Sequence, residues 1–424
     1  MLKLVVVRAG LCVLAAALLP RVVSGQQSTP PAAQEHPPEH VHDMHMDMPM
    51  DAPAGNWHLM QDGSVYLAFN RQGGPRGGDE FMAPNWWMGM ASHRAGPGTL
   101  TLTGMLSLDA ASVGSDGYRE LFQVGEAFDG RPVVDRQHPH DFWMQVAGAW
   151  RTTVSDKAGV TLAGALAGEP ALGPVAFMHR ASAAAIPLAP LGHHTFDSTH
   201  VAFGVATLGV DRGPVTVEGS VFNGREPDQA RWDLDLGPMD SWSARFSYRP
   251  TQAWELQVSS GHLHSPEELG HGNVVRTTAS GSYLKGSGGH MLAATVGVGM
   301  NATDDVTRHA GFGEVSGFWG STVGSLRVEL LEVETQLLRT GALPLTRDAE
   351  AMKSRVGAMT LGVQRDMTHL RGAAAAVGAN VSFYAAPPEL QATHGRYPVS
   401  FQLFVQVRPP VGAMGRMWNM RMGR

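Results

Sequence analysis

Cysteine is all but missing: the 424 residues hold one, Cys12. It lies in an N-terminal apolar run, so neither a disulfide framework nor a cysteine metal site is open to the rest of the chain. Charge is scarce as well, with Asp, Glu, Lys and Arg at 17 % of residues, where soluble domains carry roughly 25 %. The net charge of -6 and the lack of any basic stripe exclude nucleic acid as a partner. Beyond the N-terminal segment no run of about 20 apolar residues occurs, which excludes a membrane-spanning helix. No GxSxG-like string or comparable catalytic signature occurs, and no enzyme activity is expected.

What is there begins with an export signal. Lys3 and Arg8 give a basic start, residues 9–19 are apolar, and Val23, Ser24 and Gly25 are small enough for cleavage, so residues 1–25 read as a signal peptide. The uncharged stretch is too short for a membrane anchor. Bulky Leu11 argues against lipid attachment at Cys12.

Residues 26–57 form a Pro-rich, polar leader that cannot bury a core and is expected to be disordered. It carries His36, His40, His42 and His45 with Met44, Met46, Met48 and Met50. Thioethers suit Cu(I) and imidazoles suit both copper oxidation states, so copper, or its mimic silver, is the expected ligand. Methionine in place of cysteine avoids disulfide formation in an oxidising compartment. Asp43, Asp47 and Asp51 keep the segment solvated. The plainer alternative is a leader whose composition is incidental. The tail of residues 410–424 repeats the theme with Met414, Met417, Met420 and Met422.

Between them, residues 58–409 read as strand after strand. Trp242, Ala244, Phe246 and Tyr248 alternate with Ser241, Ser243, Arg245 and Ser247, and Val399, Phe401, Leu403 and Val405 with Ser400, Gln402 and Gln406. A period of two marks a sheet with one apolar face and one wet face. Sixteen candidates start near residues 64, 84, 99, 140, 159, 200, 214, 241, 253, 274, 290, 310, 325, 355, 372 and 397. Every second connection is tight and the intervening ones are longer. Such sorting by parity is expected of an all-β, antiparallel, up-and-down transmembrane barrel of about 16 strands (14–18) in the bacterial outer membrane. A soluble sandwich or propeller would explain the alternation but not the sorting. An even count puts both termini in the periplasm. Trp86, Trp87, Trp143, Trp150, Trp242, Trp254 and Trp319 fall near strand ends, where interfacial girdles sit.

Two of the long connections hold unusual sequence. One ends in DRQHPHDFW, with His138, His140 and Asp141; the other runs FMHRASAAAIPLAPLGHHTFDSTH, with His179, His193, His194, Asp197 and His200. The second is too rich in Ala, Pro and Leu to hang in water. Folding into the lumen would shelter it and bring the imidazoles together, either as a metal-binding constriction or as an ordinary hydrogen-bonded plug.

The strings NWWMGMASH, GTLTLTGMLSLD, LFQVGEAFDGRPVVDRQHPHDFW, GEPALGPVAFMHR, LGHHTFDSTHVAFG and FNGREPD resemble an uncharacterised family of exported bacterial outer-membrane β-barrels associated with copper and heavy-metal resistance loci. The leader resembles that of the outer-membrane copper-resistance protein of type B, whose barrel strings do not match. The resemblance implies a setting. The function expected is a barrel that binds copper at its leader and stores it or passes it across the outer membrane. The alternative is a porin-like solute channel with an incidental leader. Outer-membrane lipid, metal ions and periplasmic metal-efflux components are the expected partners, and no cofactor is needed for the fold.

Overall fold

Which of the two alternating sets a strand buries decides its surroundings. The computed structural model describes residues 57–268, 272–343, 346–370 and 372–409. The export signal, the leader up to residue 56 and the tail of residues 410–424 lie outside the described residues. The strands in chain order are β1 (His58–Gln72), β2 (Gly78–Met82), β3 (Asn85–Ala95), β4 (Gly98–Leu106), β5 (Tyr118–Phe128), β6 (Arg131–Gln137), β7 (Trp143–Ser155), β8 (Ala158–Gly168), β9 (Ala202–Arg212) and β10 (Val215–Asn223). They continue with β11 (Ser241–Tyr248), β12 (Trp254–Leu263), β13 (Val274–Ser287), β14 (His290–Ala302), β15 (Thr307–Trp319), β16 (Thr322–Glu334), β17 (Lys353–Leu370), β18 (Ala373–Ala385) and β19 (Val399–Arg408).

All but β5 and β6 belong to one antiparallel sheet, and β1 pairs with β19 to close it, Val65 opposite Val407 and Arg71 opposite Phe401. β2 and β3 both pair with β1 and are one wall strand interrupted at Ala83 and Pro84. The wall therefore has sixteen strands, those the alternation predicts.

The wall buries its polar set. On β11, Trp242 and Phe246 are about half exposed, while Ser241, Ser243, Arg245 and Ser247 are buried. On β19, Val399, Phe401, Leu403 and Val405 face out and Ser400, Gln402 and Gln406 face in. This inversion excludes a soluble sandwich, because apolar side chains face away from the interior around the whole circuit. A closed barrel satisfies every backbone group without an edge, as hydrocarbon demands. The chain is an outer-membrane-type barrel. Trp242, Trp254 and Trp319 are exposed on the outer wall as girdle residues. Trp86 is not: it points into the lumen and is buried, because its place on β3 shares the parity of Met88 and Met90.

Connections alternate short and long, with one shrunken case: β14 and β15 extend until only residues 303–306 join them. The two largest long connections, residues 107–142 and 169–201, fold inward. The first contains the β5–β6 hairpin, which its sequence did not announce, because four non-glycine residues at positive φ (Phe122, Glu126, Asp129, Asp135) break its alternation.

Candidate functional site

Each infolded loop is tied to its own sector of the wall. The first is held against β3: Asp109 Oδ1 accepts from the Asn85 backbone N–H at 2.7 Å, Ser107 Oγ donates to Asn85 O at 2.7 Å, and Ser112 Oγ donates to Ala83 O at 2.7 Å. The second is held against β14–β16. Arg180, 1 % exposed, donates from Nε to Glu314 Oε2 at 2.9 Å and from Nη1 to Asp197 Oδ2 at 2.8 Å. Arg327 donates to the other oxygen of Glu314 at 2.9 Å. Wall serines supply the rest: Ala171 N–H donates to Ser220 Oγ, Gly173 N–H to Ser259 Oγ, and Ala185 N–H to Ser325 Oγ. Ile186, Leu188 and Leu191, the apolar run that needed shelter, are buried.

Where the loops meet, five imidazoles converge. Ring centroids of His138 and His193 are 6.0 Å apart, His193 and His200 5.3 Å, His200 and His140 5.5 Å, and His140 and His138 6.3 Å, which closes a circuit of four rings. His194 stands beside it, 5.7 Å from His138 and 5.3 Å from His193. Phe177 caps the group, 5.6 Å from His193.

Every ring in the group is oriented through Nδ1. His140 Nδ1 donates to Asp109 Oδ2 at 2.8 Å, His193 to Asp197 Oδ1 at 2.9 Å, His194 to Glu226 Oε1 at 3.0 Å, His200 to the Asp197 carbonyl at 2.7 Å, and His138 to the Pro139 carbonyl at 3.1 Å. These partners are all acceptors, so Nδ1 must carry the hydrogen, and Nε2 keeps its lone pair in the neutral ring. The Nε2 atoms of His140, His193 and His200 are buried and have no hydrogen-bond partner among the described residues. That of His138 lies 3.1 Å from Glu126 Oε1, without the geometry of a hydrogen bond.

Burial lowers the pKa values of His138, His193 and His200, which keeps these rings neutral near pH 7. His194 departs from them: burial opposes its charge, but Glu226 outweighs burial and raises it to about 8. Burial would likewise raise Asp197, yet Arg180 and His193 hold its carboxylate well below the usual range. Asp197 thus aligns two rings and ties them to the wall through Arg180.

Three imidazoles with Nδ1 bound to carboxylate or carbonyl and Nε2 free form the donor arrangement of a transition-metal site, in which the outer hydrogen bonds fix ring orientation and raise basicity. Four imidazoles bound tetrahedrally at about 2.0–2.1 Å would place neighbouring centroids about 5 Å apart. The observed circuit is wider, and no three of its rings bring donor nitrogens within 4.8 Å of one another. Among the described residues, the one His or carboxylate trio with donor atoms within 4.8 Å of one another is Asp228, Asp233 and Asp235, on a different loop and largely exposed. Asp141 and His179, also expected here, do other things. Asp141 accepts from Arg231 Nη1 at 3.1 Å, and His179 packs edge-on against Trp86 at 4.9 Å. Glu226 and Arg231 brace the chamber from residues 224–240; Glu226 lies in the FNGREPD string, where nothing marks it as a site residue, and Arg231 carried no signal in the sequence. Arg231 joins Asp141 to Glu126. Gly125 could have been noticed: at φ 133°, a Cβ there would lie 2.4 Å from the His194 ring.

No known family and no curated protein matches the sequence, so the resemblance to copper-associated barrels rests on its own strings. Among solved structures, the chain is similar to a loop-deletion mutant of OmpT, an outer membrane protein of Vibrio cholerae. Identity is 9 %, coverage is 83 % of this chain and 99 % of that one, and the TM-score is 0.48. It is similar also to an anion-selective porin from Comamonas acidovorans, at 11 % identity, 83 % and 100 % coverage and a TM-score of 0.47. OprB of Pseudomonas putida stands at 11 % identity, 83 % and 94 % coverage and a TM-score of 0.49. At such identities nothing about the lumenal residues carries over.

Proposed function

We propose that the protein is a porin-like conduit of the outer membrane, held nearly closed by its own two loops, and that its cargo is a transition-metal ion taken up by the imidazole chamber, with copper the favoured member. The observation that carries this reading is the set of three buried Nε2 lone pairs, those of His140, His193 and His200, each fixed by an acceptor on Nδ1. An imidazole set suits Cu(II), Cu(I) and Zn²⁺, and excludes the hard ions that prefer oxygen. The filled lumen supports a low or gated conductance in place of a wide pore. The leader would act as a separate collector at the strand ends opposite the long loops; its eight His and Met donors support this, and its structure lies outside the described residues.

Two measurements test the reading. Planar-bilayer traces of the purified protein should show small conductance that Cu(II) changes at micromolar levels. Metal analysis of the full chain should give bound copper that falls when His140, His193 and His200 are replaced by Ala with the leader intact. Wide, copper-insensitive pores and unchanged metal content would leave only a solute channel.

A further inference from the structure

A second donor group lies beside the chamber. Met88 and Met90 on β3, Met105 on β4 and Met144 on β7 are buried in one cluster with Trp86, Val201 and Phe203, and Met60 on β1 and Met178 of the second loop pack against it. The register places them together: Met60 is opposite Met90, and Met88 is opposite Met105.

Two features set this cluster apart from ordinary filling. The lumenal face of several other wall strands is polar, as with Asn70, Gln402, Gln406, Ser243 and Arg245, and that of β15–β17 carries Phe312, Leu331 and Val356, whereas on β3 and β4 it is thioether. The largest buried cluster, built around Leu121, Phe122, Leu191, Phe196 and Leu338, contains no methionine, and Met82 and Met291 stand singly in two smaller ones.

The group also grades from the fully buried Met144 to the partly exposed Met60, near the end of β1 where the chain enters the barrel. At its other side, one small cavity of about 40 Å³ is lined by Met178 and Trp86 together with His140. One thioether, that of Met178, and one imidazole, that of His140, therefore border the same space.

We infer that these methionines form a binding site for a soft monovalent ion, Cu(I) or Ag(I), which adjoins the imidazole chamber and is distinct from it. Thioether sulfur is a poor ligand for Zn²⁺, Mg²⁺ or Ca²⁺ and a good one for Cu(I). Passage of a monovalent ion, Cu(I) or Ag(I), between the two donor sets is ligand exchange with no change of oxidation state; Cu(II) held by the imidazoles does not enter this exchange.

The test uses the full chain with the leader and tail methionines (Met44, Met46, Met48, Met50, Met414, Met417, Met420 and Met422) replaced by Leu, so that neither terminal segment supplies sulfur. Titration with Ag(I) and X-ray absorption at the silver edge should show one ion with sulfur neighbours. Adding Met88→Leu, Met90→Leu, Met105→Leu and Met144→Leu should remove the sulfur shell and weaken Ag(I) binding at least tenfold. Heat-modifiable migration checks that this variant folds, and Met90→Leu alone, with a partial loss, serves if it does not. An unchanged sulfur shell, or no sulfur shell in the parent chain, would show apolar filler only and overturn the inference. His193→Ala with His200→Ala separates the two sites: it should lower Cu(II) binding to that of the leader histidines and leave the Ag–S signal intact, so either site can fail without the other.

Discussion

The imidazole chamber and the methionine group are neighbours built by different rules. Each chamber ring is held by a named hydrogen bond, and the carboxylates of Asp109, Asp197 and Glu226 each orient one ring, the first two also tying their loops in place. A thioether is only a weak acceptor, and packing against Trp86, Val201 and Phe203 positions these methionines instead. The difference teaches where each region is brittle. A chamber of buried, mutually dependent polar groups fails sharply when one member is lost. A packed apolar group tolerates exchange of shape-compatible residues with little loss of stability.

The largest effect should come from Asp197→Ala. It leaves Arg180 with one partner fewer, frees His193 Nδ1 and removes a buried charge that three groups share. Breaking a buried pair from one side costs about 3–5 kcal/mol, so urea or thermal unfolding should show a loss of that order, and Cu(II) affinity should fall further than for any single histidine.

A middle-sized effect is expected from His200→Ala, with metal affinity down about 10–100-fold, the scale seen when a ligand or its support is lost. Isothermal titration checks it, and His179→Ala is the control, since that ring lies against Trp86 outside the circuit. Gly125→Ala should act by crowding, because its Cβ would enter the His194 ring at a left-handed backbone position. A destabilisation of about 1–3 kcal/mol is expected, read from thermal midpoints, with His140, His193 and His200 still binding metal. The smallest effect should be Met144→Leu on stability. Its loss should stay under about 1.5 kcal/mol even while Ag(I) binding drops, and unchanged Ag(I) binding would mean that the methionine group is ordinary core.

The same contrast explains what the sequence revealed. The wall was legible because each strand repeats a period of two, and the turn strings fix parity even where the phase slips at Leu330 and Leu331. The loops were legible only through composition. His138, His140, His193, His194 and His200 stood out as residue types, and the Ala-Pro-Leu run implied shelter. Their partners did not stand out. Asp109, Glu226 and Arg231 reach the chamber from distant positions in sequence; Asp109 and Glu226 lie in the GTLTLTGMLSLD and FNGREPD strings, but nothing there shows that they turn toward the imidazoles. The lumenal methionines were hidden for the opposite reason: on β3 and β4 they alternate as any apolar strand residue does, and only the inverted burial of the wall shows that they face inward.

Crystals soaked in Cu(II) and measured by anomalous diffraction at the copper edge test the central claim most directly. The account predicts one strong peak between the two infolded loops, about 2.0–2.1 Å from the Nε2 atoms of at least two of His140, His193 and His200. A lumen without copper, with the metal confined to surface carboxylates such as Asp228, Asp233 and Asp235, would contradict it.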